Sequence, residues 1–435
     1  MSRRGAVLAF GLLSVVGGTQ LARAQSPGLA LLVPRLYGPH GLTVDSEALL
    51  PDGSSHSAHF NSAFQARFTQ FNIALASQLA SIPVPSPASG FTYTFDESLG
   101  VYRRTTRSFG PILAERPETL GRGKLSAGLS YQHFAFDTIE GVDLSAVPAV
   151  FTHDDAELGG GRSDVVTTLT AFDTRVDQTA VALTYGLANW LDVSVAVPFA
   201  RVDLGATSTA AIQRIGTTNP AIHFYGLGGG DYRTTAVYSN SASASGIGDL
   251  LVRLKGHVLR AERAGLALGV DVRLPTGEEE DLLGLGTTGI KPFAVFAISL
   301  GGVAAHVNAG YLWNGKSVLA GDVALGRKED MPDQVTYAAG FDVGATKRLT
   351  LALDFVGAYV IDSPRLVAQT FGAANGGTFP QIGFVTESYA IANAAAGVKL
   401  NLFGRLLLDA NVLFKLNHTG LRDKVTPLVG IEYAF

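Results

Sequence analysis

The chain has 435 residues, no cysteine, and 33 basic against 37 acidic side chains, for a formal charge of −4. This balance argues against a nucleic-acid partner, and the absence of cysteine excludes disulfides, thiolate metal sites and an N-terminal lipid anchor on cysteine. Only 16% of residues are charged and 51 are glycine, yet beyond the extreme N-terminus no uninterrupted apolar run reaches helix-spanning length. Strand-built membrane proteins have this composition because lipid-facing and lumen-facing residues alternate, but secreted β-rich proteins share it.

Residues Met1–Ala24 have the form of a secretory signal peptide. Arg3 and Arg4 make a positive start, Gly5 to Val16 is apolar but too short to span, and Ala22-Arg23-Ala24 fits small-x-small cleavage. Loss of its three arginines takes the balance from −4 to −7. Gln25 to Gly123 is predicted to be a plug or periplasmic segment. Phe60, Phe64, Phe68 and Phe71 recur at helical spacing, continued by Leu75 and Leu79 and closed by Pro83 and Pro85. Such an apolar stripe needs an apolar surface, and the barrel mouth or lumen is the nearest. Phe91 to Phe95 and Val101 to Arg103 suggest a hairpin too short to span comfortably.

From Lys124 to Phe435 one unit repeats: an alternating stretch of about ten residues, a tight turn, a returning stretch, then a longer polar loop. Leu250, Val252, Leu254, Gly256 and Val258 share one face, and Leu266, Leu268, Val270, Val272 and Leu274 share the next. Further strands run Val303 to Asn314, Val335 to Ala345, Leu349 to Ile361, Ser388 to Leu400, Arg405 to Leu416 and Val425 to Phe435. Short turns are expected near Gly186 to Ala188, Ala261 to Arg263, Leu300 to Gly302, Thr346 to Arg348 and Leu402 to Gly404. Long outer loops are expected at Gly205 to Ser245, Gly277 to Ile290, Gly315 to Gln334 and Asp362 to Thr386. The fold class is therefore all-β, a transmembrane antiparallel barrel of about twelve strands, or fourteen if the N-terminal hairpin spans, with an N-terminal helical plug-like segment. The last strand places Val429, Ile431, Tyr433 and Phe435 on one face and ends on an aromatic, which suits pairing with the first strand in a closed wall. Tyr185, Trp190, Tyr311, Trp313 and Tyr359 also fall near strand ends, as interfacial girdles require.

The phase opposite the lipid carries the ions. Arg253, Lys255, His257, Asp271, Arg273, His306, Asp354, Asp409 and Lys415 are the lumen-lining candidates, because each would be costly against hydrocarbon. They either pair across neighbouring strands or line a solute path. Gly284 to Gly289 matches a Gly-rich dinucleotide pattern, but no helix follows, so it is read as a loop. His153-Asp154-Asp155 and Glu278 to Asp281 are oxygen-rich clusters placed in outer loops, where solvated acids are ordinary. No catalytic residue, cofactor or metal is assigned. Pro198 interrupts the strand Asp192 to Arg201, and since proline cannot donate to a ladder it is the candidate for a bulge or a break in the wall.

Ser108-Phe109-Gly110-Pro111, Glu115 to Gly123, Ser130 to Phe134, Val195 to Phe199 and Arg273 to Glu278 together resemble blocks of the bacterial outer-membrane family named for the meta-pathway of phenol degradation. That family is itself distantly similar to FadL-like transporters. The resemblance runs from about Ser108 to Phe435. It implies an outer-membrane channel for passive uptake of small hydrophobic or aromatic compounds. Its implied partners are those solutes, outer-membrane lipid with lipopolysaccharide, and the barrel-assembly machinery. A barrel enzyme such as a lipid hydrolase, needing an outward Ser or His with an acid at the membrane edge, and a structural or adhesive barrel are the alternatives.

Overall fold

The computed structural model describes residues 28–38, 41–49, 108–152 and 163–435, together with the backbone of Tyr93–Asp96 and Val101–Arg104. The phenylalanine stripe from Phe60 to Phe71, His153 to Asp155 and the signal segment lie outside these residues.

Among the described residues twelve antiparallel strands form a closed ring. In chain order they are Leu125–Ile139, Val165–Ala188, Leu191–Gln213, Leu250–Arg260, Ala264–Leu274, Gly289–Leu300, Val303–Asn314, Gln334–Gly344, Leu349–Gly372, Thr378–Phe403, Leu406–Lys415 and Val425–Ala434. Each pairs with the next, and the last closes on the first, Val429 opposite Tyr131 and Ala434 opposite Ser126. Closure leaves no strand edge exposed to hydrocarbon, which is what a bilayer demands of a sheet. The hairpin Tyr93–Asp96 with Val101–Arg104 pairs only with itself, so the fourteen-strand alternative does not hold. The described parts of the N-terminal region show a single turn of 3-10 helix at Leu29–Leu31.

Side-chain alternation sets the two faces. Val429, Ile431, Tyr433 and Phe435 are exposed outward, whereas Leu428 and Ala434 are buried inward. Tyr185, Trp190, Tyr433 and Phe435 lie outward near the short turns, and Phe199, Trp313 and Tyr359 lie outward farther along their strands, forming two aromatic levels.

Two expectations about loops are corrected. Gly205 to Ser245 is largely strand, because Leu191–Gln213 runs on for 23 residues and pairs with Thr235–Ile247 above the lipid band. Likewise Leu349–Gly372 and Thr378–Phe403 extend for 24 and 26 residues and pair as far as Gly372 opposite Thr378. A strand needs about 9–11 residues to cross the bilayer, so more than half of these strands stands outside it. A smaller correction concerns the first short turn, which falls at Asn189-Trp190 instead of Gly186 to Ala188.

Candidate functional site

The periplasmic end of the lumen is crossed by residues 108–123, which then feed Lys124 into the first strand. Inward side chains take up the backbone groups of this non-strand segment. Asp354 accepts the amides of Ile112, Leu113 and Ala114 at 2.8, 2.8 and 3.2 Å. Asn308 pairs with Glu115 in both directions, accepting its amide at 2.7 Å and donating to its carbonyl at 3.0 Å, as a strand partner would. Thr350 accepts the Phe109 amide and Asp192 the Leu120 amide, at 2.8 and 2.9 Å. Buried amides need such acceptors once they leave a ladder. The fit is close at Gly186, where a Cβ would overlap the Gly121 carbonyl.

Charge is matched at the same level. Glu115 on the crossing segment meets Arg253, and its other oxygen lies 3.3 Å from Lys255 Nζ. Arg253 also donates to both oxygens of Asp271, at 2.6 and 2.7 Å, and its guanidinium lies over the Phe293 ring at 4.9 Å. Lys291 reaches Asp271 at 2.9 Å. His306 stands between Asp354 and Asp342, at 2.8 and 3.6 Å. Buried ions of this kind hold only when each is paired and hydrogen-bonded.

Toward the outer end the lumen becomes apolar. Phe172, Val176, Val202, Leu204, Ala206, Ala210, Ile212, Leu366 and Ile382 are buried there. The N-terminal stretch packs on these faces through Leu29, Leu32, Val33 and Leu36. Tyr37 donates to or accepts from Ser208 at 2.8 Å and meets Phe151 and Tyr238 edge to face. Above this compartment the buried pair Asp164–His223, 2.8 Å apart, ties the outer loops: Asp164 also accepts the amides of Ile215 and Gly216 at 2.8 and 2.7 Å. Burial alone would raise the Asp164 carboxyl, but the His223 bond and the two amides outweigh it and hold it at about 2.

Pro198 marks a discontinuity in the wall. Its strand pairs with Leu250–Arg260 up to Ala196 opposite Leu251, and with Thr235–Ile247 from Phe199 opposite Ile247. Between them three residues, Gly248 to Leu250, stand opposite two, Val197 and Pro198, and Gly248 still donates its amide to the Pro198 carbonyl at 2.8 Å. The neighbouring strand Ala264–Leu274 follows Leu250–Arg260 only, so among the described residues no strand pairs with the far edge of Thr235–Ile247. The loop after Leu274 fills this place. Thr276 donates to the Gly248 carbonyl at 2.7 Å, Asp249 accepts the Gly277 and Leu285 amides at 3.1 and 2.9 Å, and Leu283 lies against Gly246 and Gly248. Phe199 and Ile247 are exposed outward here and Arg201 follows, so the break sits at the outer edge of the lipid band.

Of the sequence-predicted residues, Arg253, Lys255, Asp271, His306 and Asp354 come together around the crossing segment. Arg273 sits apart, donating to Asn314 at 2.6 Å and lying 3.6 Å from Asp249 beside the wall break. His257 is at the periplasmic rim, next to a bulge, donating to the Leu259 carbonyl at 2.9 Å. Asp409 accepts from Asn411, and Lys415 reaches Asp137 at 3.0 Å near the outer rim. Asn308 and Asp342, which also fall in the inward phase of the sequence, join the site, whereas Glu115 and Asp192 belong to it but were not singled out from sequence. The signal for Glu115 was there: an acid ahead of the first strand, with two cations in the inward phase to receive it. Glu279, in an oxygen-rich cluster, instead accepts from Ser317 and pairs with Lys328. An outward His133–Asp177 pair at 2.8 Å, at the membrane edge, was also missed.

The family model described as "Putative MetA-pathway of phenol degradation" matches residues 146–420, well over half of the chain. Among curated proteins none matches the chain. Of solved structures, an outer membrane channel from Pseudomonas putida F1 is 14% identical, covers 74% of this chain and 99% of its own, and has a TM-score of 0.43. The Ralstonia pickettii toluene transporter TbuX is 12% identical over 74% of this chain and 92% of its own, at a TM-score of 0.34. A Pseudomonas aeruginosa FadL homologue is 9% identical over 72% and 89%, at 0.31.

Proposed function

The chain belongs to this phenol-degradation family, and from that premise we propose that it is an outer-membrane channel for passive uptake of small hydrophobic or aromatic compounds. One observation carries the reading: an apolar face of the outer lumen, formed by Phe172, Val202, Leu204 and Ile212 and covered by the N-terminal stretch Leu29 to Tyr37, runs down to the irregular pairing at Pro198 and Gly248, at the edge of the lipid band. An apolar solute gains by leaving water for such a compartment, and gains again by passing sideways into lipid. The polar way down is closed by residues 108–123 and their ion pairs. Pro198 then acts by denying the wall a ladder bond at the level where the solute leaves.

The outward pair His133–Asp177 bears on the alternative of a lipid hydrolase. Tyr131 donates to the same Asp177 oxygen at 2.5 Å. A nucleophile must give its proton to the imidazole, whereas this hydroxyl gives it to the acid, so the trio does not form a serine-type relay. We therefore assign no catalytic role.

The test is solute entry into liposomes carrying the purified chain, comparing phenol and toluene with sugars of similar size. Faster entry of the aromatics is expected, and equal or slower entry would overturn the reading.

A further inference from the structure

The segment crossing the periplasmic mouth has one contact unlike the rest. Asp354 is fully buried, yet its Oδ2 accepts three consecutive amides, those of Ile112, Leu113 and Ala114. Three successive amides turned toward one point form a concave anion site, which here belongs to the segment, while the anion belongs to the wall. Its Oδ1 takes His306 Nε2 at 2.8 Å, so the carboxylate is satisfied on both sides. His306 Nδ1 faces Asp342 at 3.6 Å, and Asp342 bonds the Ser108 hydroxyl and lies near Arg116 and Lys399.

We propose that Asp354 is the latch of the periplasmic mouth and His306 its positioning residue. The segment opens only when this carboxylate gives up its three amides together, and His306 keeps Asp354 aimed at them. Other acceptors on the wall take fewer of its amides: Asn308 accepts that of Glu115, Thr350 that of Phe109 and Asp192 that of Leu120, one each. Asp354 alone holds three. The proposal rests on the channel reading only for its consequence in transport.

Hydrogen exchange of the full chain in detergent micelles tests it without any solute. In Asp354→Ala the peptide over residues 108–116 should exchange on the order of a hundredfold faster, since bonds to a charged acceptor are lost. Asp192→Ala should loosen only the neighbourhood of Leu120. His306→Leu should behave as a weaker Asp354→Ala, and His306→Gln, which keeps a donor for Asp354, should restore protection. Should Asp354→Ala not fold, Asp354→Asn, which keeps the shape and loses the charge, serves in its place with a smaller acceleration. Unchanged exchange over 108–116 in a folded Asp354 variant would overturn the latch. So would equal loss of protection there in Asp192→Ala. Solute entry into liposomes separates this from the function: a loosened segment in a chain that admits phenol no faster than a sugar keeps the latch and overturns the channel.

Discussion

The Pro198 carbonyl accepts the Gly248 amide at 2.8 Å, at the point where the partner of its strand changes from Leu250–Arg260 to Thr235–Ile247. The proline and the break in the ladder are thus one feature seen from two strands. Proline has no amide to give, so the partner backbone turns away, and the loop after Leu274 folds into the space left. Replacing Pro198 by Val supplies the missing donor. The expected outcome is slower uptake of aromatic solutes by a barrel that remains folded. Radiolabelled-solute uptake measured beside the folded band on unheated gels checks it, and unchanged aromatic uptake would make the proline architectural only.

A charge on the outward face should hinder insertion. Leu268 is half exposed to lipid in the middle of its strand, and Leu268→Arg should cost about 2–4 kcal/mol, read from urea unfolding out of vesicles. Sequence alone suggests that Gly269 on the inward phase is more tolerant. The structure argues otherwise: a Cβ there would collide with the Phe293 ring, so Gly269→Arg should also fail, through crowding instead of lipid exposure.

Arg253 joins the crossing segment to the wall. Arg253→Met leaves Glu115 and Asp271 buried with one cation fewer each, although Lys255 and Lys291 remain beside them. Breaking a buried ion network from one side costs about 3–5 kcal/mol. A lower transition temperature of the folded band on unheated gels is expected. Arg253→Met with Glu115→Gln should recover part of the loss.

Acid should loosen the outer loops before it touches the barrel. The Asp164 carboxyl is held at about 2, below its ordinary value of 3.8. A depressed carboxyl contributes stability that is full above its unfolded value and is lost as pH falls through the folded one. The window is therefore from about pH 4 down to about pH 2, and the contribution is on the order of 2 kcal/mol. Faster proteolysis around Ile215 to Thr217 in that window, abolished as a pH effect in Asp164→Asn, is the measurement.

The barrel strands were legible where lipid meets one face and charge the other. Val425–Ala434 alternates valine, isoleucine and tyrosine outward with glycine and glutamate inward, and its phase and its pairing with the first strand follow from that contrast. Thr235–Ile247 lacks the contrast. Serines 239, 241, 243 and 245 face outward and alanines 242 and 244 inward, because above the lipid the outer face meets water and needs no apolar groups. A polar alternating stretch of that kind reads as loop. The inward ions were legible by exclusion from hydrocarbon, but their partners were not. Asp354 and Asn308 bind backbone amides of residues 112–115, and an amide leaves no mark in a sequence.

The latched segment runs directly through Lys124 into Leu125–Ile139, the strand on which the last strand, Val425–Ala434, must close. Upstream, Tyr37 already rests against Ser208 and Tyr238 inside the outer half of the wall. The described stretches 28–38 and 108–123 thus lie inside the cylinder, at its outer and its periplasmic end. Once Ala434 has met Ser126 the wall has no side entrance for that arm. The described stretches 28–38 and 108–123 have to be in position while the cylinder is still an open sheet, so the order of assembly is written into the connectivity. A circular permutant that moves this arm behind Phe435 would have to thread a finished pore.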